Sequence, residues 1–539
     1  MGTIIKKKIK GINYYYYVES KRVDGKSKYV NQKYLGSADK LLKMANESGK
    51  TLQNQVLYAH EVTFGSVALL YDMAMRLDIL NIIDEVAPKR GQGASVGMYI
   101  LTAAINRAVS PTSTNGLKAW YEKTSLPYMT GLKPALFTPQ NFWNNTGITV
   151  EQLRTIEDRI FQKSIRMFGI NANDLIYDAT NFFTYIDTMN PSGLAKRGHD
   201  KAKRNDLKTV GLALLVTPDF SVPVLSEAYP GNRGDSTQFS NMMEQLKLRY
   251  RAIVGKDAQI TIVFDRGNNS ESNLDLLESE GLGFHYVGGL KKNQVAELYA
   301  VPKSSYKPLA CPEDAPEKYE SLTTYRMRAA VLGREATTVI VYNPELEKGQ
   351  LQGIQANIEK TKSELLEIQG KLFKRSKGEL KKGKKPTFER VSKAVSKILA
   401  RREYMDDIFE YEILEKDNHL FLTFSDSEDK LNVIREEQLG KTALFTDRSD
   451  MSDYEIISAC RSAWHVESSF RQMKDTEFLT VRPIFHWTDQ RIAVHIFICV
   501  LACRLCSLLR KELHRKGIEC SINQYLKSMN FCFFCQISG

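Results

Sequence analysis

The sequence predicts an α/β protein: a mixed sheet flanked by helices, preceded by a β/helical region and interrupted by an insertion. Three observations carry this. Short apolar runs bounded by turn residues recur at 174–178, 210–216, 222–228 and 260–264, the pattern of buried strands. Apolar residues at helical spacing precede them between 61 and 170 and follow them between 453 and 509. Heptad spacing at Leu351, Ile354, Ile358, Thr361, Leu365, Ile368 and Leu372 marks a long helix inside the insertion.

The chain has 539 residues, too many for one hydrophobic core, so about three or four domains are expected. Lys and Arg outnumber Asp and Glu by 75 to 63, a net charge of +12 that favours a polyanionic partner. No signal peptide is apparent at the start, and most of the eight cysteines lie in apolar stretches, as expected of reduced thiols in a cytoplasm. Cys532 and Cys535 lack a second CxxC pair, which makes zinc the weaker reading there. The stretch 492–509 nearly reaches membrane-spanning length, but His495 and Arg504 inside it favour a buried helix and no membrane.

Residues 1–60 read as a small basic β-rich unit. Tyr14 to Val18 is an aromatic strand, and Asp24-Gly25 turns it into a second strand. Its lysines and tyrosines suit either DNA contact or a plain cationic surface. Residues 61–170 read as a helical DNA-binding domain, with Leu70, Met73, Leu77 and Leu80 on one stripe and further helices at 95–109 and 151–168. A plain bundle fits the same pattern, since no recognition helix stands out.

Residues 171–300 carry the first part of the sheet and 441–515 the second. Between them, 301–440 is an insertion domain. It holds a hairpin at 325–342, then two helices facing each other as an antiparallel coiled-coil arm around the lysine-rich tip 374–385, with strands resuming at 409–424. The tip reads as a DNA contact or as a solvated loop. Residues 516–539 form a C-terminal tail, whose end, 530–539, is apolar and lacks an obvious cap.

Three carboxylates hold telling positions. Asp178 ends the first strand, Asp265 ends the buried strand 260–264, and Glu467 lies on a helix over 453–474. Adjacent strands bring two carboxylates together, and a helix packed on the sheet adds a third. Such a cluster suits two divalent cations about 3.5–4 Å apart for in-line phosphoryl transfer. Arg471 and Lys474 follow Glu467 by four and seven residues, on the same helical face.

These motifs resemble the DDE transposases of bacterial insertion sequences. The residues that carry the resemblance are Asp178-Ala179-Thr180, Arg197-Gly198-His199, Gly231-Asn232 with Asp235, Val263-Phe264-Asp265-Arg266-Gly267, Trp464-His465-Val466-Glu467 with Phe470, Arg471 and Lys474, and Arg482-Pro483-Ile484-Phe485-His486-Trp487. The resemblance implies a ribonuclease H-like catalytic core interrupted by an insertion, with Asp178, Asp265 and Glu467 as catalytic and metal-binding residues. It implies two Mg²⁺ ions, with Mn²⁺ as a substitute. It also implies binding of terminal inverted repeats and target DNA, strand cleavage and transfer, a homodimer in the DNA complex, and a bacterial cytoplasmic protein associated with DNA. Many relatives carry Tyr and Arg seven and four residues before the catalytic Glu; here these positions are Cys460 and Ala463, with Arg461 as the nearest substitute cation.

DNA contacts are expected at Arg266, Arg471, Lys474 and Arg461 as phosphate ligands, at Trp487 by stacking on an unpaired base, and at His199 if it is not simply structural. Two alternatives stand beside this reading: an inactive or domesticated relative that only binds DNA, and a ribonuclease H-like nuclease without strand transfer.

Overall fold

The computed structural model describes residues 2–9, 12–23, 26–48, 58–87, 91, 93–187, 189–198, 204, 206–254, 259–279, 284–380, 385–462, 464–475 and 477–538. Strands β1 (Gly2–Ile9), β2 (Ile12–Val23) and β3 (Lys26–Ser37) form an antiparallel meander. Val23 pairs with Lys26, so the second hairpin closes where the Asp24-Gly25 dipeptide predicted it, although those two residues lie outside the described set. The tail is not a loose end: β16 (Phe533–Ser538) pairs antiparallel with β4 (Tyr58–Thr63), and the Cys532 carbonyl accepts from the Phe64 and Gly65 amides.

Helices follow β4 up to the long helix Val150–Phe168, whose start is fixed by a capping box between Thr149 and Gln152. The large sheet then begins. It contains β5 (Asp174–Phe183), β6 (Thr209–Val216), β7 (Pro223–Pro230), β8 (Ile260–Phe264), β9 (Phe284–Leu290), β10 (Lys307–Pro308), β11 (Thr323–Val331), β12 (Arg334–Tyr342) and β15 (Lys441–Thr446). Their order is β10-β11-β12-β15-β9-β8-β5-β6-β7, with β5, β8 and β9 parallel and the other pairs antiparallel. Every residue of β6 and β8 is buried, as their unbroken apolar runs require.

The hairpin of β11 and β12, expected to stand in the insertion, instead extends this sheet. β12 pairs with β15, and β15 with β9. Ala336, Val339, Ile340 and Val341 of β12 are buried in the main core, so they could not have stood on a solvated arm.

The insertion proper starts at Asn343, which caps the helix Pro344–Ser376. The expected second helix covers only part of it. The second helix, Phe388–Leu399, is 12 residues against 33, roughly 18 Å against 50 Å. The rest of the apolar stripe is covered by the hairpin of β13 (Phe409–Lys416) and β14 (His419–Asp426). Ile354, Ile358, Leu365 and Leu372 pack there with Val391, Val395, Leu399, Leu420 and Leu422 in a core separate from that of the sheet.

The helix expected over 453–474 is helical over Asp453–Ser462 and Trp464–Lys474, with Ala463 outside the described residues. Behind them runs Asp489–Arg515, long and apolar enough to cross a membrane by length and composition, yet enclosed by protein throughout its apolar window. Its interior charge has partners. Arg504 donates to the carbonyls of Pro223 and Val224 at 2.8 and 3.1 Å and sits 3.6 Å from Glu157. Glu157 also accepts from the amide and hydroxyl of Ser226 and pairs with Arg249 at 2.9 Å. A buried charge is tolerable only with such partners. This network binds the helical region to the sheet.

Candidate active site

Asp178 lies within β5 and Asp265 one residue beyond β8. The parallel register pairs Leu175 with Ile262 and Ile176 with Val263. Two residues on, it sets Asp178 level with Asp265, whose backbone is still extended at φ −79° and ψ 160°. Side chains two apart on a strand share a face, so the two aspartates project side by side. Asp178 is half-buried and accepts from the Ala179 amide at 2.7 Å; Asp265 is exposed.

The turn after Asp265 is held from beneath. The Asn268 amide donates to the Asp265 carbonyl at 3.0 Å, and Asn273 donates to the Asn268 carbonyl at 2.8 Å. Arg266 lies over Gly289 of β9, where an added Cβ would stand 3.0 Å from the arginine Cγ. Gly289 therefore makes room for the Arg266 stem beside Asp265, a role the sequence reading missed.

Trp464–Lys474 packs on β5 and β6, burying Val466, Ser469, Phe470 and Met473. Lys474 donates to the Thr180 hydroxyl at 2.5 Å and lies over the Phe182 ring. Thr180 is two residues from Asp178 on the same face. Glu467 is two helical turns before Lys474 on the same edge, exposed, with its carboxylate 4.0 Å from Arg471. Among the described residues no three His, Cys, Asp or Glu side chains are grouped closely enough to hold one ion. Register aligns the two aspartates, and Glu467 lies exposed on the helix that packs on β5. The oxygen-only donor set of the aspartates fits a hard divalent cation.

The other expected contacts scatter. Arg461 lies over the Tyr319 ring at 4.7 Å. Its neighbour Cys460 is half-buried, and its thiol pKa is pushed up to about 11, mainly by desolvation. The helix Asp453–Ser462 packs on β8, β9 and β15. His199 lies outside the described residues. Trp487 is exposed, and its carbonyl accepts from Asn190 at 3.2 Å. An aromatic ledge continues from β5: Tyr185 and Phe485 lie with tilted rings, centroids 5.4 Å apart, both exposed, and Arg482 lies 4.0 Å over Phe183. These rings meet through the parallel bridge between Thr184 and Ile484, a pairing the sequence reading missed.

Residues 173–503 match the protein family described as the transposase DDE domain. Among solved structures, the chain is similar to a piggyBac transposase in a synaptic complex with hairpin DNA, at 9% identity and a TM-score of 0.37, over 88% of this chain and 82% of that one. No curated protein matches the chain.

Proposed function

Since the chain belongs to the transposase DDE domain family, we propose that it binds the terminal inverted repeats of an insertion sequence and catalyses metal-dependent cleavage and strand transfer of DNA. The observation that carries this reading is the level placement of Asp178 and Asp265 on adjacent parallel strands, with Lys474 tied to the same face through Thr180. The strand order β9-β8-β5-β6-β7 supports a ribonuclease H-like core.

Asp178 and Asp265 would hold the divalent cations, Mg²⁺ or Mn²⁺, and Glu467 would complete the set. When bound, two such ions activate the attacking hydroxyl and stabilise the leaving oxygen of a phosphodiester. The chain's own residues do the rest. Lys474 and Arg471 present cations beside the carboxylates, suited to the phosphates flanking the cut. Arg266 does the same from the Asp265 turn. Trp487, with Tyr185 and Phe485, offers flat rings for an unpaired base.

In this reading residues 1–170 recognise the element's ends, 171–300 and 441–515 form the core, the region between supplies the arm, and the tail 516–539 ties back to β4. Two ends must be processed together, so the working form is a homodimer on DNA in the cytoplasm.

The test is cleavage of the flanking inverted repeats by the purified protein with Mg²⁺. Nicking that requires Mg²⁺ and disappears in Asp178→Asn and Asp265→Asn variants supports the proposal. Mg²⁺-independent binding without nicking would leave the protein a DNA-binding relative. Nicking without joining would make it a nuclease.

A further inference from the structure

Tyr404 stands in an unusual conformation. Its backbone is left-handed, φ 68° and ψ −1°, where it caps the short helix Met405–Ile408. A bulky residue is strained there, and such strain persists only where the surroundings over-determine it. The side chain shows what is held. Its hydroxyl accepts a hydrogen bond from Lys292 Nζ at 2.5 Å, and the same ammonium lies 5.2 Å from the ring centroid. Glu403 adds a carboxylate 3.8 Å from Lys292.

The two residues belong to different bodies. Tyr404 packs on the separate core of the insertion. Lys292 opens the turn Lys292–Gln294, just after β9 ends at Leu290 in the main core. Gln294 fixes that turn, its side chain accepting from the Lys291 amide at 2.9 Å.

β9 in turn carries the segment after Asp265. Gly288 pairs with Phe264, the residue before Asp265. The next residue, Gly289, makes room for the Arg266 stem, and its carbonyl accepts from the Asn269 side chain. Arg266 and Asn269 bracket the Asp265 turn, and Lys292 is three residues beyond Gly289. A short, fixed stretch of backbone thus separates the contact with the insertion from the contact with the turn.

The insertion is also fastened at its root. There Glu347 is gripped by Lys303, Tyr342 and Arg435, and the Asn343 amide bonds the Gly440 carbonyl at 2.8 Å. Tyr404 supplies a second point of attachment, and a body held at two points can pivot only about the line through them.

We propose that Tyr404 is a positioning residue: through Lys292 and the end of β9 it holds the Asp265 turn, so that the insertion and one wall of the carboxylate site move as one body. The strained backbone is kept because it aims the hydroxyl at Lys292. Calling that wall catalytic rests on the transposase reading; the mechanical link does not.

The experiment follows amide hydrogen exchange in the full chain without DNA or metal, so its outcome is separate from whether the protein cuts DNA. Tyr404→Phe removes the hydroxyl and keeps the ring. Lys292→Met removes the donor from the other side. Each is expected to speed exchange in the segment 265–269, where the Asn268 amide bonds the Asp265 carbonyl, by about tenfold, the lower end for losing a hydrogen bond to a charged group. The double variant should exchange no faster than either single one, because both remove the same contact. Exchange along 344–376 should keep the wild-type rate. Unchanged exchange at 265–269 in Lys292→Met would overturn the proposal, as would an increase confined to 344–376 or additive effects in the double variant. Lys292 lies outside the core of the insertion, so its variant decides the matter even where Tyr404→Phe loosens that core.

Discussion

Lys474 donates a hydrogen bond to Thr180 across 2.5 Å, joining the helix Trp464–Lys474 to strand β5. Thr180 is two residues from Asp178, and Lys474 two turns from Glu467, so this bond fixes where the helical carboxylate sits relative to the sheet.

Replacing Thr180 by Val keeps its shape and removes the acceptor. A hydrogen bond to a charged group is worth about 1.5–3 kcal/mol. DNA cleavage is expected to fall about tenfold or more, while Thr180→Ser, which retains the hydroxyl, restores most of it. Single-turnover cleavage rates decide this; equal rates for Val and Ser would show that the bond positions nothing.

Asp178→Asn and Asp265→Asn should each reduce Mg²⁺-dependent nicking by about two orders of magnitude or more, the scale set by losing several kcal/mol of charge stabilisation. Duplex binding should survive, since neither residue holds the fold. Gel-shift and nicking assays on the same preparations separate the two effects.

Arg504 and Glu157 form a buried pair inside a carbonyl and hydroxyl network. Removing one partner strands the other, at a cost of about 3–5 kcal/mol. Arg504→Met should lower the melting temperature by several degrees and loosen the contact between the helical region and the sheet, visible as faster amide exchange along Val150–Phe168. A melting temperature equal to wild type would refute this role.

His486 packs between Trp143 and His495. Burial first, then the charges of Arg107 and Arg491, push its pKa down to about 4, and His495 is pushed well below its ordinary value. The folded protein therefore resists protonation that the unfolded chain accepts near 6.5. Stability should be full above about pH 7 and decline as pH falls from about 6.5 toward 4. His486→Phe should flatten part of that decline in melting curves recorded across the range.

The sequence by itself determined the central strands, because fully apolar runs such as 260–264 bury both faces and permit little else. It also determined the burial of 492–509, since Arg504 and His495 exclude lipid. Asp265 was legible because it follows a strand whose identity was plain; Asp178 was read as a strand end, but β5 runs on to Phe183 and places it mid-strand. What only the tertiary structure decided were the relations between distant segments. The 323–342 hairpin joined the main sheet because β15, some hundred residues later, offered it a paired edge. The arm's second helix stopped short, and a two-stranded hairpin covered the remaining stripe. The tail found β4 across nearly the whole chain. Periodicity reports which face of a segment is buried but not which segment buries it, because burial is non-directional while pairing depends on three-dimensional register. The same limit applied at the site: helical spacing put Glu467 and Lys474 on one face, and the packing of that helix decided that Lys474 reaches β5 while Glu467 stands in solvent beside Arg471.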